Sequence, residues 1–222
     1  MHAMTRTCEI TSLYQNIAPD FYARQYGAAG MRAAWFRNRQ KTVARLVRRY
    51  APENAAILDI GCGNCLWNAE QRPVTGVDIC APMLEYNRAT QKSFQPLRAD
   101  IREAIPLPGE SVDLVVITEV LEHFRDYARI IEEIARILRP GGVVVSSVPY
   151  SRFPGLWGIV FPLWCGFKAW RDRDSYYAQQ CGHVVGFDFD TVRSAFAGSF
   201  ESLELFSSFL LTIFSVVRKP RQ

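Results

Sequence analysis

Four short apolar runs of this sequence end at an acidic residue, and a glycine turn follows the first of them. One carboxylate at a strand end is commonly a helix cap or a solvated turn, whereas several at successive strand ends indicate a ligand site. Carboxylates at such a place accept hydrogen bonds from the hydroxyl and amino groups of a ligand. The positions are Asp59, Asp78, Asp100 and the pair Thr118-Glu119.

The glycine turn Gly61-Cys62-Gly63 narrows the choice of ligand. Glycine lets the backbone pass close to a bound molecule. The pyrophosphate fingerprint of dinucleotide-binding proteins also needs a third small residue three positions after the second glycine, and Leu66 stands there. The turn therefore argues against NAD and favours a ligand without phosphates.

Alternating strands and helices must position these residues. Apolar runs without polar alternation are typical of strands buried on both faces, as in a parallel sheet covered by helices. Strand and helix alternation predicts a doubly wound α/β fold, in which ligands bind at the carboxyl ends of the strands. The predicted strands are Ala55–Ile60, Val74–Asp78, Gln95–Ala99, Val112–Ile117 and Val143–Val148, and the predicted helices are 32–50, Met83 to Gln91 and Asp126–Leu138, the last ended by Pro140-Gly141-Gly142.

The pattern changes after residue 150. A short helix, Asp190–Ala197, precedes two strands, Phe200–Phe206 and Leu210–Arg218, which we expect to pair antiparallel at one sheet edge. The whole is then a seven-stranded, mostly parallel sheet with a C-terminal antiparallel hairpin. We expect one domain over 1–222: an N-terminal helical cap (1–54), a ligand-binding core (55–148), an aromatic lid or insertion (149–187), and the terminal helix and strands (188–222).

Composition sets broad limits on the function. The chain has 222 residues and a net charge of +4, which suits one domain and does not by itself indicate a nucleic-acid partner. Six scattered cysteines form no disulfide framework, and we find no signal peptide and no transmembrane run. We therefore expect a cytoplasmic protein, in which the Cys62/Cys65 pair is a metal or redox motif only as a minor alternative.

Several motifs together resemble those of class I, Rossmann-like S-adenosylmethionine-dependent methyltransferases, in the small-molecule "type 11" subgroup. The resemblance is strong over residues 55–148 and weak elsewhere. It implies a methyl-transferring enzyme with S-adenosylmethionine as cofactor and S-adenosylhomocysteine as product. The matching segments are Ile57–Gly63, Val77-Asp78, Asp100-Ile101, Glu119–His123 and Leu138–Gly142.

The resemblance also implies a role for each matching residue. The glycines face the methionine part of the cofactor, Asp78 the ribose hydroxyls, Asp100 and Ile101 the adenine edge and Met83 its face, and Thr118 the sulfonium end. Cys65 departs from the family, which usually has a third glycine there. The full predicted cofactor set is Asp59, Gly61, Cys62, Gly63, Asp78, Ile79, Met83, Asp100, Ile101 and Thr118.

Candidate catalytic residues are fewer. His123 and His183 are the candidate general bases, each weighed against a packed histidine. The run Glu119-Val120-Leu121-Glu122-His123 also resembles the magnesium motif of ubiquinone-biosynthesis O-methyltransferases, so Glu119, Glu122 and His123 form an alternative to the expectation of no metal.

The aromatic segment 153–170 is the candidate acceptor region, with Trp157, Phe161 and Trp164 as predicted substrate-binding residues. A helix packed on the core and a weak membrane contact are its alternatives. We expect methyl transfer to an O or N atom of a small, apolar or lipid-like molecule, and no nucleic-acid partner. The rival functions are an RNA methyltransferase and a non-enzymatic S-adenosylmethionine-binding partner subunit. The seven basic residues in 32–49 are interpreted as a solvated helix face, with an anion-binding patch as the alternative.

Overall fold

The computed structural model describes residues 17–173, 177 and 180–221. Its centre is a seven-stranded sheet in the order β3-β2-β1-β4-β5-β7-β6. The first five strands pair in parallel, and β7 pairs antiparallel with both β5 and β6. The strands are β1 (Ile57–Ile60), β2 (Val74–Asp78), β3 (Phe94–Arg98), β4 (Val112–Thr118), β5 (Leu138–Pro149), β6 (Glu201–Ser208) and β7 (Thr212–Arg218).

In the described part of the chain, six α-helices flank this sheet or extend from it. Apolar residues of α2 and α3 pack on one sheet face, and those of α4 and α6 pack on the other. This two-sided cover explains why β1 and β4 are apolar with almost no alternation. The helices are α1 (Phe21–Gly27), α2 (Met31–Tyr50), α3 (Ala81–Thr90), α4 (Tyr127–Ile137), α5 (Trp157–Asp172) and α6 (Phe189–Phe196).

The predicted fold class is confirmed, including the antiparallel hairpin at the sheet edge, while one boundary was wrong. The segment Pro140-Gly141-Gly142 does not separate α4 from a strand at Val143, because β5 already begins at Leu138. The pairing with β4 is irregular here, and Gly141 has a φ of 78°. Backbone bonds of 2.9 Å join Gly141 and Gly142 to Lys219, which holds this stretch extended.

The segment after β5 forms a small apolar cluster of its own. Phe161, Cys165, Tyr177 and Cys181 are its buried members, with Trp157 and two others packed against them. None of the helices in the described ranges has the length and apolar character that a bilayer crossing requires.

Candidate functional site

A cavity of about 500 Å³ opens at the carboxyl ends of the parallel strands. Ligand pockets of enzymes have volumes of about 300–1,000 Å³, so its size suits a small-molecule site. The loops after β1, β2, β3 and β4 line one part of the cavity, and α1 and α2 line another. All ten residues of the predicted cofactor set lie in its wall.

The glycine turn after β1 needs glycine for steric reasons. Gly61 has a φ of 63°, and a Cβ there would lie 2.5 Å from Cγ2 of Val120. Gly63 has a φ of 48°, and a Cβ there would lie 3.0 Å from the Tyr22 ring. Cys65 has a φ of 47°, in the left-handed region that glycine adopts most easily, so the departure from the family leaves the backbone conformation in place.

Asp59 lies beneath this turn. It is 2% exposed, and Trp67 Nε1 donates to its Oδ2 at 2.8 Å. Burial raises the pKa of Asp59 to about 7, because the charged form loses its hydration. Asp59 therefore both lines the cavity and supports the glycine turn from the protein interior.

Asp78 fixes the glycine turn from the end of β2. Its Oδ2 accepts from Gly63 N and its Oδ1 from Cys80 N, both at 2.9 Å. Burial raises the pKa of Asp78, and hydrogen bonds from the backbone N–H groups of Cys80, Gly63 and Ile79 oppose this effect. A carboxylate has about four lone-pair sites, so Asp78 has acceptor capacity left for a ligand hydroxyl.

Asp100 has a partner that the sequence did not predict. The guanidinium of Arg102 contacts both carboxylate oxygens, and its Nε lies 2.8 Å and 3.0 Å from them. Hydrogen bonds from Arg102 hold the pKa of Asp100 below its ordinary value. Asp100 is thus ionised at neutral pH, and its predicted role at an adenine amino group must be shared with Arg102.

An ion pair between α2 and the end of β4 forms another part of the wall. Nη1 of Arg39 lies 2.9 Å from Oε2 of Glu119, and both side chains are less than 15% exposed. Ser147 Oγ donates to the other oxygen of Glu119 at 2.8 Å. The guanidinium of Arg39 also stacks over Trp35 and Phe36. Arg39 was not predicted as a site residue.

Helix α1 covers the glycine turn. Asn64 Oδ1 accepts from the backbone N–H groups of Tyr22 and Ala23 at 3.1 Å, and Asn64 Nδ2 donates to Pro19 O at 2.7 Å. This clamp places the Tyr22 ring in the cavity wall. Burial, with the nearby Asp78 charge, raises the pKa of Tyr22, so its hydroxyl is neutral and can donate a hydrogen bond.

The two candidate histidines meet at Glu122. Nε2 of His123 and Nε2 of His183 each lie 3.9 Å from Glu122 Oε1, and possible ligand atoms of the three residues lie within 4.8 Å of one another. Glu122 is 1% exposed, and neither of its oxygens has a hydrogen-bond partner among the described residues. Burial raises the pKa of Glu122, lowers that of His123 to about 4, and lowers that of His183.

This arrangement bears on the metal alternative. Glu119 points to Arg39 and Ser147, so the structure gathers Glu122 with His123 and His183 instead of with Glu119. Two imidazoles and one carboxylate suit a transition ion better than magnesium, which prefers oxygen ligands. Whether the chain uses a metal stays a prediction.

The predicted acceptor-binding residues lie further from the cavity than the two histidines do. Trp157 and Phe161 stack on each other, and Phe161 stacks on His183 with ring centroids 4.7 Å apart. Trp164 lies beside Phe161. None of these four side chains is among the described residues that line the cavity, whereas His123 and Val184 are. The acceptor role of the aromatic residues stays a prediction.

A doubly wound sheet with this terminal hairpin, and with acidic residues and a glycine turn at the strand ends, is the architecture of class I S-adenosylmethionine-dependent methyltransferases. Residues 58–146 match the family model described as "Methyltransferase domain". Over this segment the chain is similar to that family.

Known proteins share this similarity over part of their length. A Mycolicibacterium smegmatis protein, named as a probable S-adenosylmethionine-dependent methyltransferase, is 35% identical over 127 residues, 52% of this chain and 45% of that protein. The malonyl-[acyl-carrier protein] O-methyltransferase of Serratia marcescens is 33% identical over 95 residues, 41% of this chain and 37% of that enzyme. The matches thus span less than half of these relatives.

A solved structure extends the likeness of the fold. The N-methyltransferase NodS of Bradyrhizobium japonicum, solved with S-adenosyl-L-homocysteine, aligns with a TM-score of 0.60 at 20% identity, over 84% of this chain and 88% of NodS. In the cavity of this chain, Met83 and Ile79 offer apolar contact, Asp78 has spare acceptor capacity, and Gly61 and Gly63 allow close approach.

Proposed function

We propose that this chain transfers the methyl group of S-adenosylmethionine to an O or N atom of a small, largely apolar acceptor with one polar end. The observation that carries the proposal is the convergence of ten motif residues from four strand ends on a single cavity. S-adenosylmethionine supplies a methyl group already activated on a sulfonium. The protein mainly has to align the two reactants, which alone is worth about 7–11 kcal/mol.

The acceptor side of the cavity is assigned to α1, α2 and the segment after β4. Apolar side chains dominate there, with Phe36, Val120 and Phe124 in the wall. Arg39 adds a polar group, because its Nε is buried without a hydrogen-bond partner among the described residues. An acceptor with an apolar body and a terminal carboxylate, hydroxyl or amine fits this combination.

The histidines limit the chemistry further. His123 lines the cavity, and its Nδ1 lies 3.1 Å from the carbonyl of Gly182, which fits a neutral ring that donates from Nδ1. With a pKa of about 4 it is a weak base at neutral pH, whereas efficient general bases titrate near the working pH. We therefore favour an acceptor whose attacking atom is nucleophilic without base catalysis, such as a carboxylate. A relative named as acting on malonyl-[acyl-carrier protein] supports this choice.

The test compares acceptors that share one apolar chain and differ in the terminal group. Medium-chain carboxylic acids, alcohols and amines are incubated with tritiated S-adenosylmethionine, and extracted label is counted. We expect label in the acids first, and the Asp78→Ala variant as a matched control should transfer little. Calorimetry with S-adenosylmethionine and NAD gives an independent measure. Tight binding of NAD without binding of the methyl donor would refute the proposed function.

A further inference from the structure

The exposed apolar side chains of this protein are concentrated in one place. Ten large apolar residues are exposed in the described part of the chain, and nine of them lie in two segments. Seven belong to residues 153–170, and the other two are Phe209 and Leu210 in the turn between β6 and β7. Large exposed apolar patches on soluble proteins mark binding surfaces, whereas scattered single residues do not.

The two segments form one surface. Leu156 N donates to Leu210 O at 2.8 Å, which joins the β6–β7 turn to the start of α5. Along α5, the exposed apolar residues recur at steps of three and four, and Leu163 and Trp170 are 72% and 78% exposed. Phe161 and Cys165 lie on the opposite, buried side of the helix. We call the exposed apolar residues of 153–170, together with Phe209 and Leu210, the apolar face.

Cations flank the apolar face. Residues 153–171 contain Lys168 and Arg171 and no acidic residue, and Asp172 is the last residue of α5. Arg32 extends this flank, because its guanidinium lies 4.4 Å from the centre of the Trp164 ring. A short helix with apolar and tryptophan side chains on one side and cations beside them is typical of helices that lie in a membrane interface.

We propose that the apolar face docks on the surface of an anionic lipid bilayer, with α5 lying in the plane of the interface. The flanking cations would face lipid phosphates, and each basic residue near such a surface strengthens binding about fivefold. A second copy of this chain fits less well, because a symmetric contact would bring the same cations of both copies together. Docking would also bring lipid-like acceptors close to the cavity, a consequence that rests on the proposed function.

Vesicle flotation of the full chain tests the docking without any activity measurement. We expect the protein to float with phosphatidylcholine vesicles that contain phosphatidylglycerol, and less with phosphatidylcholine alone or at high salt. The double variant Leu163→Glu/Phe167→Glu should weaken the partition by about tenfold or more, since two apolar side chains lose their burial. Both positions are exposed, so the fold should persist, which circular dichroism checks.

A charge-matched control separates the apolar face from net charge. Gln95→Glu/Ser202→Glu adds the same two negative charges at exposed positions of the edge strands β3 and β6. This variant should keep vesicle binding within about twofold of the wild type. The proposal is overturned if wild-type protein does not float, or if both double variants bind equally. Lipid-free dimerisation that is abolished by Leu163→Glu/Phe167→Glu, without vesicle binding, would assign the face to a second copy.

Discussion

The ion pair of Arg39 and Glu119 connects the N-terminal helices to the end of β4, and the change Arg39→Met tests its strength. The side chains are only 11% and 14% exposed. Methionine keeps the apolar length of arginine but leaves the Glu119 carboxylate with the hydroxyl of Ser147 as its side-chain partner among the described residues. Removal of one partner from a buried pair costs about 3–5 kcal/mol. We expect about 3 kcal/mol here, because the cavity admits water.

The second change, Glu119→Gln, removes the carboxylate charge that Arg39→Met leaves without its ion-pair partner. Replacement of both partners is often close to neutral, so Arg39→Met/Glu119→Gln should regain about 1–2 kcal/mol relative to Arg39→Met alone. Stability is measured by urea unfolding at pH 7.

An exposed ion pair on the same helix provides the control. Arg48 and Glu70 form a salt bridge with side chains 62% and 53% exposed. The corresponding cycle, Arg48→Met with Glu70→Gln, should give a coupling below about 1 kcal/mol. If the Arg39–Glu119 cycle is additive, or couples no more strongly than this exposed pair, the reasoning that α2 is anchored to the cavity through a buried charge is wrong.

Three further predictions concern the cavity. Asp78→Ala should weaken S-adenosylmethionine binding by about 1.5–3 kcal/mol with the fold intact, as measured by calorimetry; an unchanged dissociation constant would make Asp78 a structural cap only. The lowered pKa of His123, about 4 against an unfolded value near 6.5, means that the unfolded chain binds more protons between these pH values, so stability falls as the pH drops through this window. The variant His123→Gln should reduce the stability difference between pH 7 and pH 4.5 by up to about 3 kcal/mol, and an unchanged difference in urea titrations would contradict the assignment. A transition ion bound by this chain should be lost in His183→Ala and retained in Glu119→Gln when measured by mass spectrometry of dialysed protein; the reverse pattern would restore the magnesium interpretation.

The cofactor half of the site could be predicted from the sequence because its geometry is local. Parallel strands present their carboxyl ends at one sheet edge, so residues just after β1, β2, β3 and β4 must approach one another. Asp59, Asp78 and Asp100 needed no further information to be placed together. The hydrogen-bond partners of these carboxylates within the protein could not be predicted. Arg102, which donates to Asp100, could have pointed its side chain in several other directions.

The position of Arg39 along the helix predicts that its side chain is buried, and the sequence analysis did not use this observation. It lies three residues after Phe36 and four before Val43, both buried, so it falls on the apolar side of α2 and not among the solvated arginines. A cation on the buried side of a helix needs a buried partner. Nothing in the sequence identified that partner as Glu119, because eighty residues separate them.

The residues that lie nearest to Glu122 could not be predicted from the sequence for a similar reason. Adjacency along the chain grouped Glu119 with Glu122 and His123, but Glu119 has a φ of 55° and directs its side chain towards Arg39. His183 takes the third place because the backbone after α5 returns to this point: Val184 and Val185 both donate to the Glu122 carbonyl. Only the tertiary path of the chain brings these residues together.

The same path explains how the aromatic segment relates to the cavity. Phe161 stacks on His183, His183 lies next to His123, and His123 forms part of the cavity wall. The aromatic side chains of α5 thus contact the cavity wall indirectly, through His183 and His123. The side of α5 that faces the protein supports the two histidine rings, and the opposite side of α5 is exposed. A helix that packs in this way can couple contact with an external surface to the position of His123 without touching the acceptor. Burial lowers the pKa of both histidines, so both imidazoles are neutral at pH 7 and can pack beside the aromatic rings without the cost of a buried charge.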